Sequence, residues 1–392
     1  MLSYNFLFDL FLILVATKFF GVLSKKMNMP AVVGALISGI ILGPACLNIL
    51  HETDFIMQIS ELGVIVIMFT AGLEVDIKEL KKCGMASFSV AIFGVLVPLV
   101  LGTILGVCFN TPANIFDFTN IEMLKNIFLG IVLTATSVSI TVETLKELGK
   151  LTTKVGNVIL GAALIDDILG IIALTVITSM VNSSGASPLI VIFKIALFFV
   201  LSILIGIFLS KNITKWMDKT EKGLRRYTIF AFALCLLLAF VAEKFFGVAD
   251  ITGAFIAGVI LSNSPKSPYL DRRFGILSYM LLSPVFFASI GLKVDLTGFN
   301  SSLILFTVLL LVVAILSKVI GGAFGAKLFK FSNKDSIIIG TSMMTRGEVA
   351  LIVANKGAEA GLMTPTFFAP IVIMVTICAL LSPVFLKILY KK

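Results

Sequence analysis

Two adjacent acids, Asp166 and Asp167, lie inside an apolar run from Val155 to Met180. The run is long enough to cross a bilayer as a helix. An ionised aspartate at the centre of such a helix costs roughly 2.5–3.5 kcal/mol on insertion scales, so it persists where it is matched or used. Neighbouring helical positions point about 100° apart. One carboxylate can therefore meet a fixed cation while the other faces a water-filled cavity. The chemistry open to such a pair is reversible occupation by a proton or a small cation; the bland alternative is two acids neutralised by burial. Two further features lie at comparable depth. Lys318 sits well inside the run 301–326, where it either pairs with a buried acid or snorkels along its stem. Thr134-Ala-Thr-Ser-Val-Ser-Ile-Thr141 places five hydroxyls in eight residues, offering Thr134, Thr136 and Ser137 as oxygen ligands for a hard cation such as Na⁺.

The elements that must position these groups are membrane helices. Of 392 residues, 58% are hydrophobic and only 14% are charged, against about a quarter charged in a soluble protein. The chain reads as an all-α polytopic membrane protein. Thirteen candidate spans lie near 5–24, 30–50, 55–75, 84–109, 121–143, 152–180, 188–210, 226–245, 247–263, 274–294, 301–326, 336–355 and 365–386. The N-terminal stretch lacks a basic n-region and reads as a first span rather than a cleaved leader. Five cysteines without CxxC spacing and the single His51 argue against a disulfide framework or a His-based metal site. No cofactor is expected.

Of the 31 Lys and Arg residues, 23 fall at the odd-numbered junctions and the C-terminus, and 4 fall at the even-numbered junctions. Basic loops stay on the cytoplasmic side, so the N-terminus is expected outside and the C-terminus inside. The net charge of +9 reflects those loops.

An internal repeat is also legible. Val32-Val-Gly-Ala-Leu-Ile-Ser-Gly-Ile-Ile-Leu42 matches Ile251-Thr-Gly-Ala-Phe-Ile-Ala-Gly-Val-Ile-Leu261 at 6 of 11 positions. Gly72-Leu-Glu-Val-Asp76 matches Gly291-Leu-Lys-Val-Asp295 at the same offset of 219 residues. The paired spans are seven apart, an odd number, so the halves are expected to have opposite topology, an architecture common among secondary transporters. The glycines Gly34, Gly39, Gly253 and Gly258 are expected at helix contacts.

Spans 5 and 12 read as discontinuous helices. Span 5 carries the hydroxyl run. Span 12 carries Thr341-Ser-Met-Met-Thr-Arg-Gly-Glu348, with Arg346 and Glu348 on either side of a glycine. Unwound backbone at membrane depth is tolerated where it lines a cavity or is buried in protein. Hydroxyls used as interhelical glue in span 5, and a purely structural role for Arg346 and Glu348, are the competing readings.

These residues resemble the cation–proton antiporter-2 family, the bacterial NapA-type and Kef-type exchangers. The likeness covers essentially the whole chain. It rests on Pro30-Ala-Val-Val-Gly-Ala with Gly43-Pro44, Gly72-Leu-Glu-Val-Asp76, Thr134-Ala-Thr-Ser137, Asp166-Asp167, Phe286-Phe-Ala-Ser-Ile-Gly291 and Arg346-Gly-Glu348. The resemblance implies a homodimer in the bacterial inner membrane, with residues 1–83 and 226–300 as dimerisation scaffold. Residues 84–180 and 301–392 would form a moving core, and 188–210 the linking helix. It further implies that Asp167 alternately carries Na⁺ and protons, that Asp166 pairs with Lys318, and that Arg346 and Glu348 compensate the half-helix ends. The Kef branch carries a nucleotide-binding domain after its last span. The sequence ends at Lys392, so regulation through such a domain is not expected unless a separate subunit supplies it.

The expected activity is exchange of a monovalent cation, Na⁺ first, for protons. An acid that must be neutralised before it can move through apolar surroundings enforces that coupling. The resemblance implies that the Asp pair favours electrogenic exchange. A Kef-type K⁺/H⁺ antiporter is the nearest alternative. A passive channel would need filter carbonyls or charge rings along an axis. An intramembrane aspartyl protease would need its two acids to converge from separate helices.

Overall fold

The computed structural model describes residues 5–27, 29–75, 77–110, 120–181, 188–218, 224–262, 264, 266–294, 303–363 and 367–391. Every regular element among them is helical. In chain order these are α1 (Asn5–Lys26), α2 (Ala31–Leu42), α3 (Asp54–Leu73), α4 (Ile77–Phe109), α5 (Ile121–Val132), α6 (Val138–Glu147), α7 (Lys154–Val181) and α8 (Pro188–Asp218). There follow α9 (Leu224–Val241), α10 (Asp250–Ser262), α11 (Ser267–Leu277), α12 (Ser283–Leu292), α13 (Ile304–Leu328), α14 (Asn333–Met343), α15 (Glu348–Glu359) and α16 (Phe368–Lys391). Two π-helical turns, Ala242–Phe246 and Ser278–Leu282, extend α9 and join α11 to α12.

Among the described residues nine helical stretches are long and apolar enough to cross a membrane, with α11, its π-turn and α12 counted as one. Local chemistry fixes many ends. Thr53, Asn120 and Ser332 accept backbone N–H groups at the starts of α3, α5 and α14, as N-cap oxygens do. Gly247, at φ 65°, ends the π-turn after α9 in a conformation that few residues other than glycine adopt.

Three sequence boundaries need correction. Span 2 stops being helical at Leu42 rather than running to residue 50, because Gly43 precedes Pro44 and takes an extended conformation. The tenth span begins at Ser267, not 274, so Arg272 and Arg273 lie on helix α11 rather than in a loop. The fourth extends back to Ile77. Asp76 and Asp295, which close the two repeat motifs, lie outside the described residues.

The helices pack in two groups. In one, α13 lies against α4, α14 and α16, and α4 lies against α5 and α7. In the other, α3 lies against α10 and α12, α2 against α1 and α12, and α9 against α10. Helix α8 touches α7 of the first group and α10 of the second. The repeat glycines sit where backbones nearly touch. A Cβ on Gly39 would lie 2.0 Å from the Ala288 carbonyl oxygen, and one on Gly258 would lie 2.3 Å from that of Phe69. They are packing positions, as expected.

Candidate functional site

Asp166 lies near the middle of α7 and Lys318 near the middle of α13, and their side chains meet. Lys318 Nζ donates to both carboxylate oxygens of Asp166, at 2.8 and 2.9 Å. The ammonium group has no exposed surface and Asp166 is 2% exposed. Snorkelling is therefore not how Lys318 is accommodated. Asp167, one position on, is buried as well, and its charge acts on Lys318 through space. With both Asp166 oxygens engaged by Lys318, the second acid occupies a different environment, as the helical offset requires.

Beside this pair the two expected breaks occur. The backbone leaves helix between α5 and α6 at 133–137, and between α14 and α15 at 344–347. They touch: the Ser137 N–H donates to the Thr345 carbonyl at 2.8 Å. The approach is close enough that a Cβ on Gly347 would lie 2.7 Å from Ser137 Oγ, which is why a glycine stands between Arg346 and Glu348. Thr136 Oγ1 donates to the Met343 carbonyl at 3.3 Å and also lies within reach of the Asp166 carboxylate. It thereby ties the first break to the acid pair.

The other hydroxyls have different partners. Thr134 Oγ1 donates to Ile131 O, one turn back, and Ser137 Oγ pairs with Ser139 Oγ. Thr141 Oγ1 lies 3.0 Å from both the Ser342 carbonyl and Thr345 Oγ1. Ser382, on α16, hydrogen-bonds Thr345 Oγ1 and donates to Thr341 O. The carbonyls at the C-terminal end of α14, a half-helix ending inside the protein, are thus met by hydroxyls. Those carbonyls carry the partial negative charge of the helix end and would otherwise be buried unsatisfied.

Arg346 serves carbonyls of the other break and of α13. It is fully buried, and its two terminal nitrogens donate to Ala135 O in the first break and to Ala314 O on α13. One guanidinium thus spans both breaks and the lysine-bearing helix. The backbone of Glu348 opens α15, but its side chain lies outside the described residues.

Ser382 was not visible as a site residue, being one serine in the apolar run 365–386; the adjacent Pro383 inside helix α16 was the available signal. Cys378, buried one turn earlier, interacts with Arg346 and was equally silent.

A family model described as sodium/hydrogen exchanger, transmembrane, matches residues 11–392. The chain belongs to that family. Its curated relatives include the Na(+)/H(+)-K(+) antiporter GerN of Bacillus cereus, 37% identical over 98% of this chain and 96% of that protein. A Na(+)/H(+) antiporter of Enterococcus hirae is 38% identical over 99% of each. Among solved structures, a sodium proton antiporter from Methanocaldococcus jannaschii superposes with a TM-score of 0.71, covering 98% of each chain at 21% identity. That likeness speaks for the fold. The sodium/hydrogen exchanger family is one of multi-pass membrane transporters, and the buried Asp166–Lys318 pair beside the two touching breaks is the candidate site.

Proposed function

We propose that the chain exchanges a monovalent cation, Na⁺ first, for protons across the bacterial cytoplasmic membrane, with Asp167 as the carboxylate that holds either one. The observation that supports this is the buried two-point pairing of Asp166 with Lys318, with a second buried carboxylate, Asp167, one position on. In this reading the hydroxyls of the break at 134–137 serve as neutral oxygen ligands; Thr136 lies within reach of the adjacent Asp166 carboxylate. Crossing requires that the charge on Asp167 be neutralised, because a bare carboxylate is costly to move past apolar surfaces. Proton and cation are alternative means of doing so, and that exclusivity is the coupling. If binding of the cation also frees Lys318 to lose a proton, two protons exchange for one cation. The single net charge moved is then worth about 2.3 kcal/mol per 100 mV.

The geometry also supports alternating access built on an inverted repeat. Gly39 and Gly258 are equivalent at the offset of 219 residues, as are Gly72 and Gly291. A Cβ on Gly291 would crowd the Gly39 backbone, and one on Gly258 would crowd that of Gly72. Each contact is thus the repeat image of the other. In this reading α4–α7 and α13–α16 move against a scaffold of α1–α3 and α9–α12. The scaffold also forms a homodimer, α8 links the two parts, and the N-terminus is outside.

The test is Asp167→Asn in proteoliposomes on a solid-supported membrane. The wild type is expected to give a cation-dependent charge movement that depends on the proton gradient, and the variant none. Substantial residual coupled flux in the variant counts against the assignment. The Bacillus cereus relative has potassium as well as sodium in its name, so K⁺ is the second cation to offer; flux indifferent to the proton gradient would mark a channel instead.

A further inference from the structure

The helix that follows the first break ends in charge. α6 closes with Glu143, Lys146 and Glu147, then stops at Gly149, whose φ is 63°. Lys150 N–H bonds Leu145 O at 2.8 Å and Gly149 N–H bonds Lys146 O at 3.0 Å. This is the paired C-terminal closure that fixes a helix end firmly. The two charged residues on that last turn reach the other group of helices. Lys146 Nζ lies 2.6 Å from Glu74, just beyond α3, and 3.5 Å from Asp271 on α11. Glu147 lies 3.6 Å from Lys25 on α1. Its two carboxylate oxygens accept the Ala31 N–H at 3.0 and 2.8 Å. Ala31 opens α2, so a carboxylate from one group of helices caps a helix of the other, where its charge meets the positive end of the helix dipole.

The rest of the charge pairing is arranged differently. Lys125–Glu122 lies within α5, and Lys293–Glu52 joins the end of α12 to the segment before α3. Neither of these two pairs crosses between the groups. The ionic contacts of Lys146 and Glu147 that bridge the two groups lie at the face where α1, α3 and α6 end. That is the face carrying the basic junctions. Contacts that hold the two parts together at this end are what a transporter closed on that side presents.

We propose that Lys146 and Glu147 are positioning residues for exchange: they latch α6 to α1, α2, α3 and α11, close the basic face, and must let go once in every cycle. The inference rests on the exchanger reading above. The latch is made of partly exposed pairs, with side-chain exposures between 21 and 60%. Such pairs are individually weak, so together they bias an equilibrium between two conformations without freezing it. That is the strength a part that opens on every turnover needs.

Two variants test this in proteoliposomes. Ala31→Cys/Glu147→Cys, in a background with the five native cysteines replaced by serine or alanine, is bridged with a short bis-methanethiosulfonate reagent. Exchange is expected to fall at least tenfold and to return on addition of reductant, while each single-cysteine variant is indifferent to the reagent. Bridged protein that exchanges at the unbridged rate would overturn the proposal, since the latch would then stay shut through a working cycle. If the double variant is inactive before bridging, the exchange of charges Lys146→Glu/Glu74→Lys decides. Activity above that of either single variant supports the latch, with the apparent cation KM on the basic face moving more than the maximal rate; activity no better than the singles overturns it. Wild-type protein that moves no ions would sink the exchanger reading instead. Hydrogen–deuterium exchange at the first turn of α2 then decides the latch alone. Faster exchange there in Lys146→Gln/Glu147→Gln supports the contact, and unchanged exchange refutes it.

Discussion

The two breaks in this exchanger do the same thing to the backbone with opposite chemistry. The one at 133–137 is supplied with neutral hydroxyls; Thr136 there, with Thr141 on α6, reaches across to cap the carbonyl end of α14. The one at 344–347 supplies a full positive charge, and Arg346 reaches back to the Ala135 carbonyl. Each break satisfies the other, so neither is stable alone. The difference lies in what remains for a ligand. A hydroxyl is donor and acceptor at once, so it can turn an oxygen toward a visiting cation. A guanidinium has no acceptor and repels one. In the proposed reading the first break is the side that holds the cation, and the second is the fixed counterweight.

That contrast can be broken most severely at its charged end. Arg346→Gln removes the donor pair joining Ala135 and Ala314; hydrogen bonds to charged groups are worth about 1.5–3 kcal/mol each. The expected result is a marked fall in melting temperature in detergent together with loss of exchange. Arg346→Lys keeps the charge but not the planar fork that serves two carbonyls at once. It should fold, melt lower than wild type and exchange slowly, which separates the need for charge from the need for geometry.

At the neutral end the effect should fall on binding rather than folding. Thr136→Val, similar in shape but without the hydroxyl, is expected to raise the apparent KM for the cation about tenfold, the size expected of one lost hydrogen bond or ligand contact of about 1.4 kcal/mol, with a small change in melting temperature. Equal losses of stability from Thr136→Val and Arg346→Gln would erase the distinction. Ser382→Ala is the mildest. It removes one partner of Thr345 and one of Thr341, for a cost of about 0.5–1.5 kcal/mol. Exchange should persist at reduced rate.

Much of this site is legible from residue type and depth. Asp166 and Lys318 announce themselves because charge in an apolar run is costly wherever the run lies, and Arg346 and Thr136 do so for related reasons. Backbone direction is less legible. Hydropathy carried span 2 past Leu42 because Cys46, Leu47 and Ile49 are apolar, whereas the Gly43-Pro44 step ends the helix. It started the tenth span late because Asp271, Arg272 and Arg273 look like loop, yet they lie on helix α11. Lys146 counts only as one of the basic residues at a junction, and Glu147 is not singled out; their partners Glu74, Asp271 and Lys25 lie far away in sequence, and nothing local links them. Ser382 was hidden for the same reason.

Helices α2 and α10, of 12 and 13 residues, reach only about 18–20 Å at 1.5 Å per residue, well short of a hydrocarbon layer about 30 Å thick. Neither can be a self-sufficient stop for the machinery that threads a nascent chain into the bilayer. Both are seated by close backbone contact at Gly39 and Gly258. The order of biogenesis follows: α2 waits for α12, more than two hundred residues downstream, before its final place exists. A bulky residue at Gly39 should therefore show first as a shortage of correctly inserted protein in the membrane, before any transport assay is run.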